Sequence, residues 1–308
     1  MTVLSEDAHG VYVIAATPFD SAFAVDERSI ATMVDFYLAK GADGLTILGM
    51  MGEAPKLTPV ESLGVVKSVL ACASGRPVIV GVSAPGFAAI AELSRDSMAL
   101  GAAGVMVAPP SSLRTDDQIV EYYQQVADLL GPKIPIVLQD FPLSTGVAIS
   151  VSAIDRIVRT IPSLVMIKHE DWPGLGKLST LRQQEDAGRR RVSVLCGNSG
   201  LFLPEEMQRG ADGAMTGFAY PEMMIDVVRL SRLGEHERAR DVFDAYLPLI
   251  RYEQQPGVGL AVRKYILAKR GVIAGATQRK PGATLPPKAV AEVEALIARQ
   301  ARRLQELN

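Results

Sequence analysis

The sequence predicts a (β/α)8 barrel with a helical C-terminal extension, and three patterns lead to this α/β fold class. Short apolar runs alternate with amphipathic stretches almost from end to end. The runs are rich in Val, Ile and Leu on both faces, as strands of a parallel sheet covered on both sides require. A Gly-Ala-(Asp/Ala)-Gly turn also recurs at residues 41–44, 101–104 and 210–213, each time directly before such a run.

Eight of the apolar runs are predicted strands. They begin roughly 20 to 35 residues apart, which is the size of one βα unit. Eight consecutive units favour a closed barrel over an open doubly wound sheet, whose glycine-rich dinucleotide fingerprint follows none of the runs. In chain order the predicted strands are Val11–Ala16, Leu45–Leu48, Val78–Val82, Val105–Ala108, Ile134–Gln139, Leu164–Lys168, Val192–Cys196 and Ala214–Gly217.

Helical signals fill the segments between these strands. Residues 58–61 (Thr-Pro-Val-Glu) and 115–118 (Thr-Asp-Asp-Gln) have the form of capping boxes, which begin helices. The first glycine of each repeated turn can adopt the left-handed conformation that ends a helix. The first predicted helix shows apolar residues at helical spacing, namely Ile30, Met33, Val34, Tyr37 and Leu38.

The C-terminal part of the chain carries helical patterns and no further strand. Amphipathic stretches lie near Pro221–Leu233, Arg238–Tyr252, Gly259–Lys269 and Pro287–Leu304. The first is expected to be the eighth barrel helix, and the others an extension. We therefore expect residues 1–233 to form the barrel and residues 234–308 to pack on it within one structural domain.

Composition excludes several classes of function. The 308 residues carry 32 Lys and Arg against 34 Asp and Glu, and no block of like charge is longer than three residues. This balance gives no support for a nucleic-acid or membrane-surface partner. No apolar run reaches the ~18 residues of a membrane-spanning helix, and two cysteines make no disulfide framework. We expect a soluble protein of the cytoplasm.

Lys168 is the residue with the clearest chemical potential. Barrel enzymes place their reacting groups at the carboxyl ends of strands, and Lys168 closes the apolar run at residues 164–167. Apolar surroundings disfavour the ammonium form, and the neutral amine can attack a carbonyl. The resulting iminium is an electron sink that lets a neighbouring bond break. The alternative is a lysine that merely ends a strand and points to solvent or an ion pair.

Other strand ends carry weaker signals. The Gly-Met-Met-Gly-Glu loop at residues 49–53 could hold a carboxylate through its backbone N–H groups, or its methionines could simply fill the barrel mouth. Gln139 and Asp140 end an apolar strand, either as a turn or as substrate contacts. His169 and Glu170 follow the lysine, but the three histidines of the chain show no metal-ligand spacing, so no metal is expected.

Taken together, these motifs resemble the dihydrodipicolinate synthase/N-acetylneuraminate lyase family, over nearly the whole chain. The resemblance implies a TIM barrel that forms a homotetramer or dimer and acts on pyruvate or a related 2-oxo acid. It also implies that Lys168 forms the Schiff base and that no cofactor is needed. The motifs that carry it, in order, are Gly49–Glu53, Lys168, Gly197-Asn-Ser, Gly210–Gly217, Gly259–Gly271 and Arg279–Leu285.

The resemblance and the strand-end positions together give a set of candidate site residues. The candidate catalytic residues are Lys168 and Gln139. The candidate substrate-binding residues are Gly49, Met50, Met51, Gly52, Glu53, Asp140, Glu170, Asn198, Thr216 and Gly217.

The sequence also departs from the usual pattern of the family. Met50 and Met51 stand where most members have hydroxyl residues, and Gln139 stands where a tyrosine relays protons. Ser144 replaces the arginine with which dihydrodipicolinate synthases bind a second carboxylate, and residues 109–111 replace their tyrosine pair. Without these hydroxyls, that synthase activity has no evident proton carrier.

Several activities therefore stay open. Gln139-Asp140-x-Pro142, residues 213–217 and Tyr220-Pro221 resemble the 2-keto-3-deoxy-sugar-acid dehydratase branch. In such an enzyme the base would be water held by Gln139, or the carboxylate of Glu170 or Asp140. The apolar methionines indicate a substrate less polar than a sugar acid, so an aldolase for an aromatic or aliphatic aldehyde also stays open. True 4-hydroxy-tetrahydrodipicolinate synthase and a barrel that binds a 2-oxo acid without turnover are the remaining alternatives.

Overall fold

A computed structural model describes residues 3–307 as a closed barrel of eight parallel strands in chain order. The barrel closes where the eighth strand pairs with the first. This architecture confirms the predicted fold class. The strands are β1 Gly10–Ile14, β2 Gly44–Ile47, β3 Val78–Gly81, β4 Gly104–Val107, β5 Ile136–Asp140, β6 Leu164–His169, β7 Ser193–Cys196 and β8 Gly213–Ala214.

Helices connect the strands and cover the outside of the barrel. In chain order they are α1 Glu27–Lys40, α2 Pro59–Cys72, α3 Phe87–Leu100, α4 Asp116–Leu130, α5 Pro142–Thr145, α6 Val151–Thr160, α7 Leu175–Asp186, α8 Leu203–Gln208, α9 Pro221–Arg232, α10 His236–Glu253, α11 Gly259–Lys269 and α12 Pro287–Glu306. Short 3-10 turns cover Met50–Gly52, Ala54–Lys56 and Asn198–Gly200. Among residues 3–307, no helix combines the length and the apolar character needed to cross a membrane.

Local chemistry sets the ends of these helices as the sequence indicates. Both predicted capping boxes form, at the start of α2 and of α4. Gly41, Gly101 and Gly210 have φ angles of 100°, 106° and 90°. These left-handed residues turn the chain from a helix into the next strand, as the repeated motif predicts.

All eight predicted strands form, with ends shifted by up to three residues from the predicted ranges, and β5 and β8 are two of those that differ. β5 begins at Ile136 instead of Ile134, because Pro135 has no N–H to donate to the sheet. β8 consists of residues 213–214 instead of 214–217. The chain beyond β8 stays attached to its neighbours, since Met215 N donates to Cys196 O (2.8 Å) and Ile14 N donates to Thr216 O (2.9 Å).

Apolar side chains form two layers separated by the barrel wall. Successive side chains of a strand point to opposite faces, so alternate residues enter the barrel or face the helices. The inner layer includes Tyr12, Ile14, Ile79, Met106, Val137, Met166, Leu195 and Met215. Gln139 and Lys168 are the next inward positions after Val137 and Met166, at the carboxyl end of the barrel.

The C-terminal helices close around one side of this end. α10 packs on α9 and α12. Two consecutive cations of α11 contact the carboxyl ends of the strands: Arg263 donates to Gly217 O, and Lys264 donates to Thr17 O at 2.7 Å. The extension therefore supplies part of the wall around the open end of the barrel.

Two glycine-to-alanine substitutions test whether the left-handed glycine of the repeated turn stabilises the fold. A side chain at Gly41 would meet no atom nearer than 3.7 Å, so Gly41→Ala adds only the strain of a left-handed alanine. We expect it to lower the free energy of unfolding by about 1 kcal/mol. Gly64 lies inside α2 with nothing within 4 Å, so Gly64→Ala should raise that free energy by ~0.5–1 kcal/mol. Urea denaturation followed by circular dichroism measures both; changes of the same sign would contradict this account.

Candidate active site

Lys168 lies at the bottom of a cavity that opens at the carboxyl end of the barrel. It is the fifth residue of β6, 4% exposed, and stands opposite Gln139 of β5. The cavity has a volume of about 650 Å³. Seven other predicted site residues also line it, namely Met50, Met51, Gln139, Glu170, Asn198, Thr216 and Gly217.

Glu170 joins the two predicted catalytic residues. One carboxylate oxygen, Oε2, lies 2.9 Å from Lys168 Nζ and accepts a hydrogen bond from Gln139 Nε2 at 2.8 Å. Asn198 Nδ2 holds the same residue by donating to its backbone oxygen at 3.0 Å. The carboxylate occupies the space next to Gly197, where any side chain would overlap it. The glycine of the Gly-Asn-Ser motif therefore makes room for the carboxylate beside the lysine.

This ion pair corrects the prediction that apolar surroundings alone keep the lysine uncharged. Lys168 is buried as expected, but its nitrogen contacts a carboxylate that is itself 5% exposed. The amine must lose a proton before it can attack a carbonyl, and Glu170 is the group in contact that can accept it.

Strand alternation removes Asp140 from the candidate site. Gln139 and Lys168 point into the barrel, so their neighbours Asp140 and His169 point outward. Asp140 accepts from Lys177 Nζ of α7 at 2.8 Å and does not line the cavity. The prediction that Asp140 binds substrate or acts as a base is therefore wrong, because its carboxylate lies behind the barrel wall.

The Gly-Met-Met-Gly-Glu loop divides into parts with different roles. Gly52 N and Glu53 N donate to Gly49 O and Met50 O and close a 3-10 turn. Within residues 3–307, the N–H groups of Met50 and Met51 have no acceptor, and both side chains line the cavity. Gly49 and Gly52 shape the turn without lining the cavity, so the predicted direct contact of these glycines with substrate is not supported.

Glu53 is a structural residue, in contrast to its predicted contact with substrate. It is buried and accepts from Lys264 Nζ at 2.6 Å, Lys56 Nζ at 2.9 Å and Arg279 N at 3.1 Å. Lys264 comes from α11 and Arg279 from the loop that follows. The carboxylate thus ties the C-terminal extension to the loop after β2.

The loop after β7 holds an unusual backbone conformation next to the site. Asn198 and Ser199 have φ angles of 50° and 54°, which side-chain-bearing residues rarely adopt. Ser199 N donates to Thr216 Oγ1 at 2.7 Å, and Ser199 Oγ donates to Gly217 O at 3.2 Å. These bonds hold the predicted residues after β7 and β8 in one arrangement. Such strain is concentrated at functional sites.

The sequence analysis missed the part of the wall that comes from the C-terminal extension. Arg263 and Glu253 line the cavity as a buried pair, with Arg263 Nε 2.6 Å from Glu253 Oε1. Burial raises the pKa of Glu253, and the arginine opposes that rise. The guanidinium fits because Gly217 has no side chain to obstruct it. A charged residue inside the apolar stretch of α11 was the available sign of a buried partner.

A second buried polar cluster lies on the outer side of β6 and β7. Cys196 faces outward and contacts Glu206 of α8, near His169. Burial raises the pKa of Glu206 to about 7, and His169 and the Cys196 hydrogen bond oppose the rise. This cluster is separated from the cavity by the strands. Among the described residues, no group of three or more His, Cys, Asp or Glu is arranged to hold a metal ion.

The structural role of Glu53 leads to a stability prediction. Lys264→Met removes a fully buried cation and leaves the buried Glu53 carboxylate with one positive partner fewer. We therefore expect a loss of about 3–5 kcal/mol in the free energy of unfolding. Lys269→Met is the matched control on the same helix, because Lys269 is 45% exposed and pairs with Glu294 at the surface. Its loss should stay within about 1 kcal/mol. Equal losses in chemical denaturation would contradict the assignment.

The titration of Glu206 predicts a pH dependence of stability. Because the folded pKa of about 7 exceeds the ordinary value of 4.5, the folded state holds a proton that the unfolded chain releases first. The free energy of unfolding should therefore fall as the pH rises from about 4.5 to about 7, by roughly 3 kcal/mol from this group. In Glu206→Gln this pH-dependent part of the free energy of unfolding should be absent. Denaturation curves at pH 5 and pH 8 measure the difference, and an equal pH response of both proteins would refute it.

Comparison with known proteins identifies the family of this chain. Residues 7–300 match the Dihydrodipicolinate synthetase family. The L-2-keto-3-deoxyarabonate dehydratase of Azospirillum brasilense is 33% identical over 313 residues, covering 100% of this chain and 98% of that protein. A probable 2-dehydro-3-deoxy-D-pentonate aldolase of Escherichia coli K12 is 27% identical, covering 84% of this chain and 90% of its own length.

The solved structures extend the likeness. The crystal structure described as dihydrodipicolinate synthase from Rhodopseudomonas palustris superposes with a TM-score of 0.95 at 52% identity. It covers 97% of this chain and 100% of its own. The residue match spans nearly the whole length, and the related proteins include dehydratases, aldolases and synthases of the lyase type. This chain is a lyase that belongs to the dihydrodipicolinate synthetase family.

Proposed function

We propose that this protein forms a Schiff base between Lys168 and a 2-oxo acid. The observation that carries the proposal is a buried amine that faces the barrel cavity and contacts a single carboxylate. Glu170 accepts a proton from the ammonium and leaves a neutral amine, which attacks the substrate carbonyl. The carbonyl oxygen leaves as water, and the new carbon–nitrogen bond becomes an iminium.

The substrate carboxylate is assigned to the loop after β2. The N–H groups of Met50 and Met51 open a 3-10 turn and have no acceptor within residues 3–307. Adjacent backbone N–H groups at such a turn form a concave binding site for anions. Because this loop lacks hydroxyl residues, it has no side-chain donors for the carboxylate, but it keeps the main-chain donors.

The reaction supported best is the dehydration of a 2-oxo-3-deoxy acid. With the iminium in place, Glu170 takes a proton from carbon 3, and the electrons form an enamine. The enamine then expels the hydroxyl of carbon 4, which receives the proton from Glu170 and leaves as water. Gln139 donates to the same carboxylate oxygen and keeps it directed toward the lysine. The dehydratase relative supports this assignment.

Two side chains weigh against 4-hydroxy-tetrahydrodipicolinate synthase. Ser144 stands where an arginine would bind a second carboxylate, and its hydroxyl lies 3.0 Å from Met50 Sδ. Gln139 stands where a tyrosine would relay protons, and its amide is occupied with Glu170. Neither position supplies the cation or the hydroxyl that this activity requires.

Aldol cleavage is the second candidate. The same iminium accepts the electrons of the bond between carbons 3 and 4 while Glu170 takes the proton of the carbon-4 hydroxyl, so a lyase of this geometry can release an aldehyde and leave an enamine on Lys168. The likeness to a probable pentonate aldolase favours it. Homo-oligomer formation, as a dimer or tetramer, and the division of the chain at residue 233 stay predictions.

Trapping of the Schiff base tests the proposal directly. Borohydride reduction in the presence of pyruvate should leave a mass adduct on Lys168, and Lys168→Ala should prevent it. Lys56→Ala is the matched control, because Lys56 also lines the cavity but is bound to Glu53. No adduct with pyruvate or with longer 2-oxo acids would refute the function. An adduct without turnover of any 4-hydroxy-2-oxo acid, whether its tail is hydroxylated or apolar, would favour a binding protein.

The assignment of the base makes a separate prediction. Glu170→Gln removes the proton acceptor, so kcat should fall by roughly 10²- to 10⁴-fold. The amide keeps the shape of the side chain, so pyruvate should still be trapped after long incubation. Asp140→Asn, whose carboxylate faces outward, should retain kcat within about threefold. Single-turnover measurements separate adduct formation from proton transfer, and an unchanged kcat in Glu170→Gln would exclude this base.

A further inference from the structure

The mouth of the cavity carries large apolar side chains that are exposed. Met50, Leu143 and Trp172 are 53%, 64% and 43% exposed, and all three line the cavity together with Leu201. They come from the loops after β2, β5, β6 and β7, so four separate segments of the chain contribute to one apolar rim. Exposed apolar groups gathered at one place mark a binding surface.

Contacts between the loops hold this apolar rim in place. Ser144 Oγ lies 3.0 Å from Met50 Sδ and connects the loops after β5 and β2. The ring of Phe202 packs edge-on against Trp172 with centroids 5.0 Å apart, which connects the loops after β7 and β6. The rim is therefore an assembled surface and not four unrelated side chains.

Polarity changes with depth in the cavity. The polar lining residues Gln139, Lys168, Glu170 and Thr216 are at most 5% exposed, whereas the apolar residues of the rim are largely exposed and therefore lie nearer the opening. A ligand that fits has its carboxylate, oxo group and reacting hydroxyl at one end and an apolar tail at the other. Hydroxyl groups along that tail would lose their bonds to water without finding donors or acceptors in the rim.

The opposite wall is polar, but most of its polar groups are bonded to other parts of the protein. It carries the amides of Gln254, Gln255 and Gln278. Gln255 Nε2 donates to Tyr252 O at 2.8 Å, and Gln278 Nε2 donates to Ala283 O at 3.2 Å. Two of these three amides thus already donate to nearby backbone oxygens, and Arg263 and Glu253, which also line the cavity, bind each other at 2.6 Å.

We propose that this cavity takes a 2-oxo acid whose carbon chain beyond carbon 4 is alkyl or aryl instead of hydroxylated. The inference rests on the proposed Schiff-base function and narrows its substrate class. Each methylene buried against the rim should strengthen binding about threefold to fourfold.

The homologous series pyruvate, 2-oxobutanoate and 2-oxohexanoate tests the chain-length dependence. Trp172 is the sole tryptophan of the chain, so its fluorescence reports binding at the rim without labelling. Borohydride trapping of each acid gives an independent half-saturation value. We expect affinity to rise steadily with chain length, and a hydroxylated 2-oxo acid of the same length as 2-oxohexanoate to bind at least tenfold more weakly.

A matched pair of variants separates the rim from general surface effects. Leu143→Ser should reduce the preference for 2-oxohexanoate over pyruvate by at least threefold. Leu233→Ser, at the end of α9 and 63% exposed, should leave it unchanged. Pyruvate trapping should be the same in both variants and in the wild type.

Three results would overturn the inference. Equal affinity along the series, with pyruvate still trapped, would contradict the preference for an apolar tail and leave the Schiff-base function intact. If no acid forms an adduct, both the substrate preference and the Schiff-base function are refuted. A change of sedimentation coefficient in Leu143→Ser, with the preference for longer chains unaltered, would show that the rim is covered by a second copy of the chain.

Discussion

The contact between Lys168 and Glu170 determines how the rest of the site is built. Two opposite charges lie 2.9 Å apart, each about 5% exposed, which is expensive because both have lost water. Hydrogen bonds from Gln139 to the carboxylate and from Asn198 to the backbone oxygen of Glu170 replace part of the lost water. Gly197 leaves room for the carboxylate. Such a pair is weak evidence for stability, since apolar residues would pack there at lower cost. Its presence at the bottom of a cavity is better explained by chemistry.

Sequence reasoning predicted the position of Lys168 at the open end of the barrel because strands and their ends are local patterns. The apolar run at residues 164–167 predicts a strand, and the carboxyl end of a barrel strand is where reactive groups lie. The same reasoning failed for Asp140, which ends its strand just as Gln139 does. Which of two neighbouring residues enters the barrel depends on the pairing register with β6, and that register is a property of the folded sheet.

Glu53 shows a different limit. Its place in a glycine-flanked loop near the strand end predicted a substrate contact. Its partners include Lys264 and the backbone of Arg279, which lie more than 200 residues further along the chain. Pairing over that distance leaves no local pattern. The C-terminal wall with Arg263 and Glu253 was missed for the same reason, although the helices that carry them follow from their 3.6-residue period.

The position of Glu170 beside Lys168 explains why this chain can have Met50, Met51 and Gln139 in place of hydroxyl residues. A tyrosine relay is needed where the proton carrier must reach from the wall to the substrate, but here a carboxylate already touches the amine. Gln139 then serves best as a donor that directs this carboxylate. The methionines keep the main-chain donors of their loop and make the space above the reacting carbons apolar. Catalytic groups at the bottom and selectivity at the mouth can therefore vary independently on one barrel.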